Sequence, residues 1–260
     1  MRGMIQTVVY RKELSPTIVG LILGAWVALA VWSASPYAGL LDHAQVGEGP
    51  LSPTLRVPIF VLGWTLMTIA MMLPANLPFL GRFQDSLFQQ SGRGRRLAGL
   101  ILGYLAVWGA FGLVVYLGDG LLHEAVERIE PLAHSSAGIA AALLLAAGIY
   151  QLTPLKRANL RRCRSPHPAL EKDGSRFLTS LDSLRLGLRH GLFCLGSCWA
   201  LMLLMFASGG ANLGWMLVFG TIMAGERADR WGERLTRPLG LAMIAWAVVA
   251  LAAAPSFHSG

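Results

Sequence analysis

Seven stretches of this sequence run far enough without charge to cross a lipid bilayer, and a chain with that many has few folds open to it. Each crossing of the hydrocarbon core takes roughly 17–25 apolar helical residues. Lipid offers no hydrogen bonds to a bare backbone, so the segment must satisfy its own amides as a helix. The windows fall near Thr17–Ser35, Val57–Leu80, Leu97–Gly118, Ala137–Thr153, His190–Ser208, Gly209–Glu226 and Pro238–Ala254. The fourth is short and the sixth opens on Gly209-Gly210, which blurs their limits. Composition agrees: only 14% of residues are charged, against about a quarter in soluble domains. The expected fold is all-α, a polytopic transmembrane bundle of about seven spans forming one domain over residues 1–260.

Charge placement orients the bundle. With the N-terminus in the cytoplasm and the loops alternating, Lys and Arg crowd the inner side at residues 2–12, 82–96, 156–189 and 227–237. Of 22 basic residues only Arg56 and Arg128 fall outside, as the positive-inside rule requires. The expected orientation leaves the C-terminus periplasmic, with an expected place in a bacterial inner membrane. Topology and contact with anionic headgroups account for the net charge of +8. The basic residues are not interleaved with aromatics as a single-strand groove needs, so no nucleic-acid partner is expected. The first apolar run exceeds the h-region of a signal peptide and is read as a retained span.

The longest outer loops expected are a Gly-, Pro- and Ser-rich one at Pro36–Arg56 and an acidic one at 119–136. The second contains His123 and Glu127 four apart, without the second histidine of the H-E-x-x-H zinc motif. The inner loop 154–189 is basic and holds Cys163 among arginines. Adjacent guanidinium groups favour the thiolate, the metal-binding form, although the same arginines also serve to fix topology.

Chemistry concentrates in the fifth window. His190, Cys194, Cys198, Met202 and Met205 recur at steps of four, four, four and three, which stacks them on one helical face. The row climbs roughly 22 Å at 1.5 Å per residue. Imidazole, thiol and thioether together suit a soft ion, Cu(I) above all. Cysteine and methionine also fill buried helices without binding anything, and five in register is the feature that favours a site. Helical geometry four residues apart fits a disulfide poorly. In the second window Met67, Met71 and Met72 precede Pro74, which should kink the helix and free a carbonyl. Should the second and fifth spans be neighbours, Met72 matches Cys198 in depth and Met67 matches Met202, giving a ladder of sulfurs. Glu226 ends the sixth window, either as a functional carboxylate or as an anchor for Arg227 or Arg230. Lys156 is expected to snorkel to the interface. No nucleophile elbow, phosphate loop or C-x-x-C pair occurs, so the chain is not expected to be an enzyme.

Three segments resemble a bacterial family of predicted metal-binding integral membrane proteins, a domain-of-unknown-function family linked to copper chaperoning. They are MTIAMMLPANLPFL, YQLTPLKRANLRRCRSP, and GLRHGLFCLGSCWALMLLMFASGGANLGWM followed by Glu226. The resemblance spans about Val57 to Arg237. It implies a role in metal handling for His190, Cys194, Cys198, Met202, Met71, Met72, Cys163 and Glu226. Family members often carry cysteines where this chain has Ser197 and Asn159, which shifts weight from the cytoplasmic motif to the membrane site. The expected function is Cu(I) binding and delivery to a cuproenzyme or partner copper chaperone. A copper or small-solute permease and a metal-free assembly scaffold are the alternatives.

Overall fold

The computed structural model describes residues 16–41, 52–87, 92–128, 136–164, 179–209, 212–228 and 232–253. Outside them lie the basic residues Arg2, Arg11 and Lys12, much of the first outer loop, residues 129–135 of the second, the centre of the inner loop at 165–178, and Arg230. The described residues form nine α-helices and one short 3-10 turn at Ala38–Leu41, with no strand. The helices are α1 (Pro16–Ser33), α2 (Pro53–Ala75), α3 (Leu77–Ser86), α4 (Arg93–Arg128), α5 (Ser136–Leu152), α6 (Pro154–Arg164), α7 (Ser180–Ala207), α8 (Leu213–Arg227) and α9 (Gly232–Ala253).

Among these, α1, α2, α4, α7 and α9 are long and apolar enough to cross a membrane. The α5–α6 pair, bent by 64° at Thr153, would make a sixth. The sixth window folds as α8, whose 15 residues reach only about 22 Å. Large apolar side chains stay exposed on the outside of the bundle, among them Leu23, Val27, Val31, Leu102, Val114 and Trp246. An apolar exterior is the face a helix turns to hydrocarbon.

Two expected loops are partly helical. The first ten residues of the acidic outer segment continue α4 to Arg128, because EAVER is good helix-forming sequence. The side chain of Glu127 lies outside the described residues, and His123 Nδ1 sits 3.0 Å from the carbonyl of Asp119 one turn back. The inner segment opens as α6, which buries Lys156, Leu160 and Cys163 on one face. Its far end enters α7 through a capping box: Thr179 Oγ1 accepts from Asp182 N, and Asp182 Oδ2 accepts from Thr179 N.

Small residues set which helices meet. The sequence repeats glycine every fourth residue at Gly99 and Gly103 in α4 and at Gly187 and Gly191 in α7. These faces cross so closely that a Cβ on Gly187 would stand 2.1 Å from the Leu100 carbonyl oxygen, and one on Gly103 2.3 Å from that of Leu184. Gly148 of α5 and Gly240 of α9 face each other in the same way, and a Cβ on either would stand 2.9 Å from the other's carbonyl oxygen. Without a hydrophobic driving force in lipid, such close backbone approach is a main source of helix association.

Proline breaks the second span. Pro74 lacks the N–H that would reach the Ala70 carbonyl, and Trp26 Nε1 from α1 supplies that bond at 3.1 Å. The helix stops at Ala75, and a new helix starts at Leu77 with Pro78 in its first turn. The junction residue Asn76 is left buried between them, 5% exposed.

Candidate metal centre

The sulfur row of α7 faces inward. His190, Cys194, Cys198, Met202 and Met205 are all buried. Their helix packs most extensively against α4, while α2 meets α7 through side chains, Phe60 and Trp64 against Phe206 and Asn76 beside His190 at the break. The glycine crossing accounts for the α4–α7 contact, since it brings the two helices backbone to backbone.

Those side chains meet at one atom. Nη2 of Arg227, the last residue of α8, lies 2.7 Å from Cys194 Sγ, 3.2 Å from Cys198 Sγ and 3.7 Å from Met72 Sδ. Nη1 donates to Asn76 Oδ1 at 3.1 Å. Asn76 is the hub: its Nδ2 donates to the Met72 carbonyl at 2.9 Å and to Tyr104 Oη at 3.0 Å, and its Oδ1 is 3.1 Å from His190 Nε2. Tyr104 Oη is in turn 3.0 Å from Cys194 Sγ. His190 stacks flat on Phe79 with ring centroids 3.8 Å apart. A narrow crevice between Leu73, Phe79, Leu100, Tyr104, Gly187 and His190 leads toward this network.

Cys163, on α6, is buried in the same core as Cys194 and Cys198. All three cysteines are free and buried. Met71 is buried and turned toward Gly220 of α8. Met202 and Met205 continue the buried row beyond Cys198, about 6 and 10 Å along the helix axis.

Glu226 is held elsewhere. Its Oε2 accepts from Lys156 Nζ at 2.7 Å and its Oε1 from Gln151 Nε2 at 2.9 Å. Neither Arg227 nor the interface takes this carboxylate, and Lys156 does not snorkel: both members of the pair are 1% exposed. The expectation failed because α6 turns back at Thr153 and lays its first turn against α8. The end of α8 is further fixed by Arg164, which donates to the carbonyls of Arg227 and Ala228.

Among the described residues no group of three or more His, Cys, Asp and Glu is gathered as a metal site of those ligands would require. The convergent donors are two thiols and a thioether, a set suited to a soft ion of low coordination number.

The chain matches the family model described as PpoB2, copper chaperone, over residues 61–250. It belongs to the PpoB2 copper chaperone family. No curated protein and no solved structure is similar enough to match. The PpoB2 match runs from α2 into α9 and so takes in every residue of the sulfur cluster.

The sequence reading missed Arg227, Asn76 and Tyr104. In the sequence Arg227 is one of the inner-side charges, and topology alone accounts for a basic residue at a helix end. Its neighbour Glu226 was the available signal: one helix end carrying both charges must direct at least one of them inward or pair it. Asn76 stands in the ANLP segment, between Pro74 and Pro78, where the helix stops.

Proposed function

We propose that this PpoB2 family protein is a membrane-embedded carrier that holds Cu(I) on Cys194, Cys198 and Met72 and passes it to a cuproenzyme or a partner copper chaperone. The observation that supports this reading is the convergence of those three sulfurs, all buried, on one position within 3.7 Å. Thiolate–metal bonds are near 2.3 Å for zinc, so the sulfurs would draw inward on loading. Cys163 offers a third thiol on the inner side, from which an ion could be received. Met202 and Met205 extend the soft path along α7, and His190 stands beside it. The work is ligand exchange rather than catalysis, with copper remaining Cu(I) throughout. The protein would lie in the bacterial inner membrane with its N-terminus in the cytoplasm.

The test is Cu(I) affinity of the detergent-purified protein beside its Cys194→Ser, Cys198→Ser double variant. Tight binding lost in the variant is the expected result. Equal, weak binding in both would mean that the sulfurs are packing and the chain a scaffold. Flux of copper into vesicles containing only this protein would favour a permease over a carrier.

A further inference from the structure

We propose that Arg227 is the resident cation of the sulfur site, and that a soft metal enters by displacing its guanidinium. This rests on the Cu(I) reading above and adds a gate to it. The Nη2 atom stands where a metal shared by Cys194, Cys198 and Met72 would stand, at 2.7, 3.2 and 3.7 Å from their sulfurs. Two positive charges do not share that place in a medium of low dielectric constant.

Three further observations describe a group set to move. Arg227 Nε is buried without a hydrogen-bond partner among the described residues, which disfavours the resting arrangement. The Nη1 bond to Asn76 Oδ1 leaves the guanidinium a point on which to swing. The adjacent carboxylate is already engaged, since Glu226 is held by Lys156 and Gln151. Nothing on α8 itself therefore competes with the sulfurs for the arginine's charge.

In the exchange, three sulfur–metal bonds form, two to the cysteines and one to Met72 Sδ, as the bonds between the ion and its delivering ligands break. Any proton on the thiols passes to those ligands, and no electron is transferred. Arg227 gives up its contacts to the three sulfurs. Release reverses the sequence, and the returning guanidinium keeps the vacated thiols from recapturing the ion.

The experiment uses the full chain in detergent, labelled with 15N-arginine and titrated with Ag(I), a soft monovalent ion that does not change oxidation state here. Ultraviolet thiolate–silver absorption reports binding, and the Arg227 guanidinium signal, assigned by its loss in Arg227→Gln, reports displacement. The expected result is that the signal shifts in step with the absorption and that Arg227→Gln binds about tenfold or more tightly. Absorption in Arg227→Gln alone would support the gate equally. A silver absorption with an unmoved Arg227 signal, and unchanged or weaker binding in Arg227→Gln, would overturn displacement and leave the metal site standing. No absorption in either protein would remove both.

Discussion

Lys156 Nζ donates to Glu226 Oε2 at 2.7 Å, and the two side chains are 1% exposed. This ion pair pins the inner-loop helix α6 to the end of α8, and through it Cys163 to the thiols of α7. Removing one partner of such a pair strands the other as a buried charge, which costs about 3–5 kcal/mol. Lys156→Met should therefore destabilise the protein by roughly that amount, and Lys156→Met with Glu226→Met should recover most of it. Thermal unfolding in detergent across the double-mutant cycle measures the coupling. Equal losses for both singles and a fully additive double would show that the pair holds nothing together.

The Tyr104 hydroxyl can be deleted without orphaning its neighbours. Asn76 Nδ2 retains the Met72 carbonyl, and Cys194 retains Arg227. Tyr104→Phe should cost only about 0.5–1.5 kcal/mol. Asn76→Leu takes the acceptor from Arg227 Nη1 and should cost about 3 kcal/mol or more, since a buried charge loses its partner. Chemical denaturation of the two variants side by side checks the order, and a reversal would displace Asn76 from the centre of the network.

Met72→Leu removes the thioether while nearly conserving volume. Folding should be affected by less than about 1.5 kcal/mol. Cu(I) affinity should fall about tenfold, with the Cys194, Cys198 pair still binding. A competitive titration against a Cu(I) chelator reads the difference, and an unchanged affinity would exclude Met72 from the donor set.

Gly187→Ala should disrupt the bundle, because its Cβ would lie 2.1 Å from the backbone oxygen of Leu100 and neither helix can yield locally. Gly94→Ala, in the same helix as Leu100 but with nothing within 4 Å, should be neutral or stabilising by up to about 1 kcal/mol. Yield of monodisperse protein and melting temperature distinguish the two. A well-folded Gly187→Ala would mean the crossing is looser than this geometry.

The sequence disclosed the helices because apolar length and charge placement are properties of single segments. It disclosed that Cys194, Cys198, Met202 and Met205 share one face of α7, by helical period alone; that this face turns inward is a tertiary fact. Partners across space were harder to read. Lys156 was expected to reach the interface, since a long cationic side chain at a helix end ordinarily does so; only the bend at Thr153, a tertiary feature, turns it onto Glu226. Cys163 joins the membrane thiols by the same bend. The α4–α7 pairing was written in two four-residue glycine repeats, but repeats name an interface without naming its partner.

That glycine crossing has a mechanical consequence. Side-chain interfaces can slip by changing rotamers, whereas contact between one backbone and another leaves no such slack. Tyr104 on α4 and Cys194 on α7 therefore travel as one body, a fixed post within the bundle. Any opening of the sulfur cluster must come from the pieces that lean on that post, the short helices α6 and α8, so the bound and free forms of the protein should differ at one end of the molecule and coincide along its spine.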